Sequence, residues 1–418
     1  MDKLDSALLK SRDPRTTFIF DKRCPLEELM HLNPHCPLRK GIIYYCRKNT
    51  IFEHNIRSSS KREPRIVARN QFKATSFQDL TTVNDTEHLS DAVLSLGVRG
   101  SRYFEFIPIN GNRMLLFARN SFSGITGDFK AQYCLHLSIH EICSYRFGPA
   151  LWTYHGDGHS SIPGLHWMKS NTNTLGITFG LSSRDHMELF DIDIEGDYPL
   201  IEVGRMNYAD GAMFVTQSPD RNILLSVAGQ LGAEKINIFY SDSGDANNKD
   251  FSFVTNVSIP KLANAYGQLP PMGPPVVVLE FSADGSKFAM ATSDGVMSVY
   301  DVRSQIPLLV LAVEKQRFVN EPITFLKFSK GILGREVLVF MENALLHKII
   351  HVIDATSFAT VTTEIFVLPI DYSYSRRQEE SAALFLDPRG ESLYVLLDGI
   401  LYEWEMRKND DSEWWIGE

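Results

Sequence analysis

Hydrophobic and polar residues alternate along much of the chain with a period of two, which is the period of a β-strand and not of a helix. The alternation is clearest in three segments, VVVLEF (276–281), KFAMAT (287–292) and VMSVYDV (296–302). Each of the two connections between them contains an Asp-Gly pair, which is a strong signal for a tight hairpin turn. The pattern therefore predicts an antiparallel meander in which Asp284 and Asp294 turn the chain.

The same succession of strand, turn and strand recurs along the chain, less regularly. It is clear in residues 164–193, 213–240, 323–354 and 382–405, and weaker in residues 41–57 and 86–107. The clear units begin roughly 45–65 residues apart, a spacing typical of a propeller of four-stranded sheets. We therefore predict an all-β fold, a β-propeller of four-stranded antiparallel blades. For 418 residues at roughly 50–60 per blade, seven blades fit best and eight are the alternative.

The extent of the repeats predicts an N-terminal extension (1–40), the propeller (41–406) and a C-terminal tail (407–418). Radial repetition packs the two faces of each blade on its neighbours and leaves only short strand edges, and such a ring usually closes through an N-terminal strand. We therefore expect an N-terminal strand to complete the last blade. Two segments are candidates for it, TTFIFD (16–21) and GIIYYCRKNTIFEHNI (41–56).

The unit ends resemble the WD-repeat family, in which a repeat begins with Gly-His, carries a turn aspartate and ends with Trp-Asp. Tyr300-Asp301 occupies the Trp-Asp position of one unit, and Phe190-Asp191 that of another. The resemblance covers residues 164–406 well and the N-terminal third weakly, and a weaker likeness, in LVFMEN, IHVID and LYEWE, is to a group of fungal WD-repeat proteins. It implies structural turn or repeat roles for His159, Asp185, Asp191, Asp294 and Asp301, and leaves Asp284 as an ordinary hairpin residue.

One unit end also resembles a known docking motif. Tyr300-Asp301-Val302-Arg303 is similar to the Trp-Asp-x-Arg box through which WD-repeat substrate receptors bind the adaptor of cullin-4 ubiquitin ligases, with the arginine as the contacting residue. Such boxes often occur in adjacent blades, and the next unit has no arginine at the matching position. The resemblance implies a ligase receptor as one alternative function.

Charge and composition narrow the class of protein. A formal net charge of −9 is unlike a general binder of nucleic acid or anionic membrane. The five cysteines are sparse, odd in number and without CxxC spacing, which favours a reducing compartment. The first residues are charged throughout, unlike a secretory signal, and no apolar run approaches the length of a membrane span. We expect a cytoplasmic or nuclear protein that binds no membrane.

Segments that imitate catalytic or metal sites have simpler explanations. The sequence contains no GxSxG, GxxxxGK[ST], GxGxxG or HExxH motif. An acidic stretch at 191–202 has the spacing of a calcium loop, but the residues before it alternate as a strand where that loop requires a helix. In the HGDGH stretch (155–159), Gly158-His159 is already accounted for by the repeat resemblance. The Cys and His residues at 24–46 are irregularly spaced and lack the paired short intervals of a zinc site. We expect no enzyme, no metal and no cofactor.

Candidate binding residues lie elsewhere. Residues 57–73 carry six basic side chains against one acidic one. Such a stretch suits an acidic protein surface, a phosphate backbone or an import receptor, of which the acidic surface is the best functional use; the alternative is an exposed connection between blades. Two adjacent tryptophans in the tail would either pack on the propeller or form a binding hot spot. Residues 4–10 (LDSALLK) are too short for a stable isolated helix but could order on a partner. The candidate partner-binding residues are Arg57, Lys61, Arg62, Arg65, Arg69, Tyr300, Asp301, Arg303, Trp414 and Trp415.

The sequence thus predicts a non-catalytic propeller that serves as a protein–protein interaction scaffold within a larger assembly. Its predicted partners are other protein subunits, with the adaptor of a cullin-4 ligase as the specific alternative.

Overall fold

Strands joined by short turns account for the part of the chain that the computed structural model describes. The described residues contain 27 β-strands and no helix. Within them, no helical segment has the length and apolarity that crossing a membrane would need. The described residues are 8–18, 34–47, 50–57, 64–69, 102–109, 113–122, 132–144, 146–158, 164–170, 177–182, 186–192, 200–207, 212–220, 222–228, 235–241, 251–260, 276–313, 322–331, 334–344, 347–356, 358, 363–369, 382–397 and 399–408.

The described strands form seven antiparallel sheets, numbered here in chain order; sheet 1 has three strands and the others have four. The strands are β1 (Arg15–Phe18), which belongs to sheet 7; β2 (Ile42–Arg47), β3 (Thr50–Asn55) and β4 (Arg65–Arg69) in sheet 1; β5 (Arg102–Ile109), β6 (Arg113–Phe122), β7 (Gln132–Cys143) and β8 (Arg146–Gly158) in sheet 2; β9 (Gly164–Ser170), β10 (Ile177–Ser182), β11 (His186–Ile192) and β12 (Leu200–Asn207) in sheet 3; β13 (Ala212–Gln217), β14 (Ile223–Ala228), β15 (Lys235–Ser241) and β16 (Phe251–Ser258) in sheet 4; β17 (Val276–Phe281), β18 (Lys287–Thr292), β19 (Val296–Asp301) and β20 (Pro307–Ala312) in sheet 5; β21 (Ile323–Phe328), β22 (Val337–Asn343), β23 (His347–Asp354) and β24 (Thr363–Pro369) in sheet 6; and β25 (Ala382–Leu386), β26 (Ser392–Leu397) and β27 (Ile400–Glu405) in sheet 7.

Sheet 5 is the predicted meander. Strands β17, β18 and β19 coincide with the three alternating segments, pair antiparallel in sequence order, and are followed by β20. The Asp-Gly pairs lie in the hairpin turns, where Gly285 and Gly295 have φ angles of +72° and +84°. Because a side chain is strained at such angles, glycine is the residue that these turns require.

Apolar side chains fill the spaces between neighbouring sheets. Phe288 and Tyr300 of sheet 5 pack against a cluster that includes Ile238 of sheet 4. On the other face of sheet 5, Met297 packs against a cluster that includes Phe340 of sheet 6. The first strands β9, β13, β17, β21 and β25 contact one another in this order. Sheets 5, 6, 7 and 1 therefore bury both faces on their neighbours, which is how radially repeated sheets protect their surfaces.

The N-terminal segment completes the last sheet. β1 pairs antiparallel with β27, with Arg15 opposite Glu403 and Phe18 opposite Ile400. β1 therefore consists of the first three residues of the first candidate segment and the residue before them, Arg15. The second candidate (41–56) supplies β2 and β3 of sheet 1.

The segment just before β1 is also part of the fold. Leu8 and Leu9 are fully buried in the cluster between sheets 6 and 7. The backbone of Leu9 bridges to Met406, and the Trp404 indole N–H donates to the Arg12 carbonyl at 3.0 Å. The prediction that this segment orders on a partner is wrong for its last residues, because the chain's own sheets bury both leucines.

Candidate partner-binding surfaces

Exposed apolar side chains concentrate at the periphery of the sheets. Among the described residues, nine large hydrophobic side chains are exposed, and each lies on, or directly before, the last strand of its sheet in chain order. Seven of the nine are in sheets 4, 5 and 6, and we call these seven the apolar rim. The apolar rim consists of Phe253 and Val254 of β16, Ile306, Leu308 and Val310 at β20, and Ile365 and Val367 of β24.

Strand geometry explains why these side chains are exposed. Successive side chains of a strand point to opposite faces, so Leu309 and Leu311 pack against the core between sheets 5 and 6 while Leu308 and Val310 point to the other face. That face is turned to sheet 4, since Val310 lies opposite Ser298 in the register of sheet 5. The cluster between sheets 4 and 5 includes no residue of β20. Leu308 and Val310 are therefore left 44% and 45% exposed.

The predicted docking box divides into a buried and an exposed part. Tyr300 is fully buried, stacks on Phe288 with ring centroids 5.2 Å apart, and donates its hydroxyl to the Ser258 carbonyl at 2.9 Å. Direct contact of Tyr300 with a partner does not fit this burial. Asp301 accepts a hydrogen bond from the Arg303 backbone N–H at 2.8 Å, which fixes the turn after β19. The Arg303 side chain is exposed, and no ion pair of its guanidinium occurs within the described residues.

The predicted basic stretch is engaged within the protein where it is described. The Arg57 guanidinium donates to Glu403 of β27 at 2.6 Å, and Arg65 donates to Glu53 at 3.0 Å and to the Phe147 carbonyl at 2.9 Å. Residues 65–69 form β4, so this part is a strand and not a connection. The two described guanidinia therefore hold sheets together. Arg69 lies in β4 with its side chain outside the description, and Lys61 and Arg62 lie outside the described residues.

Two buried glutamates form similar networks at successive sheet contacts. In sheet 1, Glu53 accepts from the Tyr44 hydroxyl at 2.7 Å, and in sheet 7, Glu403 accepts from the Tyr394 hydroxyl at 3.2 Å. Each tyrosine lies directly opposite its glutamate in the strand register. Burial raises the pKa of both tyrosines, so both hydroxyls remain protonated donors. Arginines then supply the charge that each buried carboxylate needs, from Arg57 and from Arg65.

A charged cavity of about 250 Å³ lies between the N-terminal segment 10–15 and β27. Lys10 and Lys40 contact the Glu405 carboxylate at 3.2 and 2.8 Å, and these contacts hold the pKa of Glu405 at about 2. The charges of the cavity therefore neutralise one another across the closure of the ring. It is lined by Lys10, Ser11, Asp13, Arg15, Arg57, Glu403 and Glu405.

A histidine–carboxylate pair lies inside sheet 6. His351 is buried, stacks on Phe340 with centroids 4.3 Å apart, and contacts Glu342 with its Nε2 2.7 Å from a carboxylate oxygen. Burial lowers the pKa of His351, although Glu342 opposes the shift. Within the described ranges, no three His, Cys, Asp or Glu side chains are grouped so as to bind a metal ion.

The aspartates predicted to turn the chain have local partners where they are described. Asp284 accepts hydrogen bonds from the Ser282 hydroxyl at 2.7 Å and from the Ser286 backbone N–H at 3.0 Å. These bonds outweigh its slight burial and lower the pKa of Asp284 to about 2. Asp294 is half-buried in the turn between β18 and β19. Asp284 is thus a turn residue that serves the hairpin.

Several predicted residues lie wholly or partly outside the described part of the chain. Asp191 lies in β11 with its side chain outside the description, and most of the calcium-like stretch, 193–199, is not described. The segment before that stretch is β11, a strand where a calcium loop has a helix. Residues outside the description are His159, Asp185, Trp414 and Trp415.

Comparison with known proteins supports the architecture. No protein-family model matches the sequence, and no curated protein matches it. Among solved structures, the chain is similar to a chain in the "Crystal Structure of Mitotic Checkpoint Complex", with a TM-score of 0.50 and 12% identity over 97% of this chain and 98% of that chain. The likeness and the seven antiparallel sheets confirm the predicted all-β propeller fold. The number of blades stays a prediction.

Proposed function

We propose that this protein is a β-propeller scaffold that binds other protein subunits and catalyses no reaction. The observation that carries the proposal is the apolar rim. Large exposed apolar patches mark interaction sites. Here seven large apolar side chains are exposed on, or directly before, the last strands of three consecutive sheets, and the structural likeness is to a chain of a multi-protein complex.

Charge supports the same function. The described basic side chains of the stretch 57–69 bind acidic groups of the protein itself, which leaves the apolar rim as the better candidate for a partner surface. A net charge of −9 disfavours nucleic acid as the partner. A cytoplasmic or nuclear location, which the cysteine content favours, is part of the proposal.

The proposal is tested by purifying the tagged full-length chain from cells under gentle conditions and weighing the assemblies by native mass spectrometry. We expect a stoichiometric complex with at least one other protein. A chain that is recovered alone at all salt concentrations, and that turns over a hydrolase substrate, would contradict it.

A second function, that of a receptor for the adaptor of a cullin-4 ligase, is favoured by one observation. The exposed Arg303 follows Asp301 in a fixed turn, as the contacting arginine of the docking box would. Arg303→Ala should abolish co-purification of the adaptor at an unchanged melting temperature. Arg389→Ala, which removes another exposed arginine, is the matched control. Unchanged recovery of the adaptor with Arg303→Ala would remove this function.

A further inference from the structure

We propose that the free edge of β20 accepts an extended, apolar segment of another protein, with an acidic C-terminal end, as a fifth strand of sheet 5. The inference rests on the proposed scaffold function and names the site and chemistry of one partner. It depends on three features of β20: its unprotected edge, the backbone groups that it directs outward, and the charge beside its first residue.

Within the described residues, β20 pairs only with β19, and its outer edge lacks the usual protection. Proteins guard edge strands with charged side chains, proline or bulges, because an exposed edge pairs readily with another strand. Of the last strands of the seven sheets in the described residues, only β20, with the sequence PLLVLA, is wholly apolar. Pro307 and a bulge at Leu308 protect its first two residues. The remaining residues have neither device.

The hydrogen-bond pattern shows which backbone groups point outward. The Val313 N–H donates to the Gly295 carbonyl at 2.9 Å, so these two residues form a hydrogen-bonded pair. Bonded and non-bonded pairs alternate in an antiparallel ladder. Val310 and Ala312 therefore form non-bonded pairs with Ser298 and Val296, and they direct their N–H and C=O groups to the free edge. An added strand finds four backbone groups there.

The side chains beside this edge are apolar on both faces of the sheet. Leu308, Val310 and Ala312 are exposed on the face turned to sheet 4. On the other side, Ile365 and Val367 of β24 are 56% and 54% exposed, on the face of sheet 6 that is turned to sheet 5. A strand that pairs with β20 would place its alternate side chains beside these two groups, so it must be apolar on both faces.

The charge at the start of β20 selects the end of the segment. Arg303 lies in the turn just before β20, is exposed, and has no ion pair within the described residues. In antiparallel pairing, the C-terminal end of the added segment lies beside the start of β20. A carboxylate at that end would therefore meet the Arg303 guanidinium, which favours planar, bidentate contact with an acid.

The same charge argues against a second copy of this chain as the occupant. A second β20 in antiparallel pairing would place its own last described residues, Ala312 and Val313, beside the start of the first, and these carry no carboxylate for Arg303. The acidic end that Arg303 favours is therefore absent from the described part of a second copy. The occupant is therefore a segment of a different protein.

The test uses the full-length chain and a random library of twelve-residue peptides displayed on phage. We expect enrichment of peptides with an apolar run that ends in Asp or Glu. Synthetic copies of the enriched peptides should slow hydrogen exchange at the Val310 and Ala312 amides. N-methylation of alternate peptide amides should abolish binding, because the methyl groups remove the backbone donors.

Matched variants separate backbone pairing from side-chain contact. Ala312→Pro removes an outward N–H and should weaken binding about tenfold, the effect of losing a hydrogen bond or two, whereas Ala312→Ser keeps the N–H and should bind as the unchanged chain does. Arg303→Glu should weaken binding strongly, and Arg303→Lys, which keeps the charge but not the bidentate geometry, should weaken it less.

The inference is overturned if no peptide is enriched, if peptides bind Ala312→Pro as tightly as Ala312→Ser, or if the Val310 and Ala312 amides exchange unchanged. It is also overturned if the chain dimerises through this edge. If the protein assemblies persist with Ala312→Pro, strand addition at β20 is wrong but the scaffold function is unaffected. Failure of this inference is therefore distinguishable from failure of the proposed function.

Discussion

The closure region and the apolar rim use their surfaces in opposite ways. In the closure region, formed by residues 8–18, sheet 7 and sheet 1, charged side chains join parts of the chain that are distant in sequence, as when Arg57 binds Glu403. Leucines from the N-terminal segment are fully buried there. In the apolar rim, large hydrophobic side chains of sheets 4–6 are left about half exposed.

This difference indicates how a ring of similar sheets assigns different tasks to different sectors. In the closure region, strands distant in sequence must stay associated, so it buries leucines and pairs its charges. Sheets 4 to 6 follow one another in sequence and need no such long-range contacts to stay adjacent. Their exposed last strands are the surfaces that the proposed scaffold function would use.

The largest expected effect is the loss of the N-terminal segment. Removal of residues 1–18 deletes β1 and the buried Leu8 and Leu9. Since each buried leucine is worth about 2–5 kcal/mol against alanine, the free energy of unfolding should fall by at least roughly 4 kcal/mol. Urea titration followed by circular dichroism measures it. A truncated chain as stable as the full chain would show that the ring does not depend on this closure.

The next largest effect concerns the charge contacts of the same region. Arg57→Ala leaves Glu403 buried without its cation and should cost about 2 kcal/mol in the free energy of unfolding. The matched change Arg303→Ala removes an arginine with no described ion pair and should cost less than about 0.5 kcal/mol. Equal costs would erase the distinction between the two regions. Arg57→Ala combined with Glu403→Gln should recover part of the loss.

A smaller effect is expected from lowering the pH, through the buried His351 of sheet 6. Burial lowers the pKa of His351, so the folded state holds this histidine neutral at pH values where the unfolded chain protonates it. The stability from this group is present above the unfolded pKa, about 6.5, and is lost as pH falls below it. His351→Gln, which can still bond Glu342, should flatten the decline of the melting temperature between about pH 7 and 5. A decline of unchanged steepness would contradict the assignment.

The smallest effect on stability is expected in the apolar rim itself. Leu308→Thr and Val310→Thr replace exposed side chains while keeping good strand formers, so each should change the free energy of unfolding by less than about 0.5 kcal/mol. Leu309→Thr, on the packed face of the same strand, is the control and should destabilise more. Chemical denaturation of the three variants measures the contrast. If the two exposed positions prove as costly as Leu309, the rim belongs to the core.

Local signals explain what could be predicted from the sequence. Sheet 5 was predictable almost to the residue because its alternation and its Asp-Gly turns act over neighbouring positions. The partners of the basic stretch were not, because Arg57 and Glu403 are 346 residues apart and only the closed ring brings them together. The aromatic of the docking box is buried for a similar reason, since its ring packs against sheet 4. The only sequence signal of the apolar rim is the uncharged run of β20, PLLVLA. Hydrophobic periodicity alone does not distinguish such an exposed strand from a buried one.

We assign stability to the closure region and partner binding to the apolar rim. The most direct test compares one variant of each region in the same quantitative co-purification from cells. One combines Leu308→Thr, Val310→Thr and Ile365→Thr in the apolar rim, and the other is Arg57→Ala in the closure region. We predict that the rim variant loses its protein partners at an unchanged melting temperature, and that the closure variant keeps them while melting earlier. Partners retained by the rim variant and lost from a still folded closure variant would contradict the account.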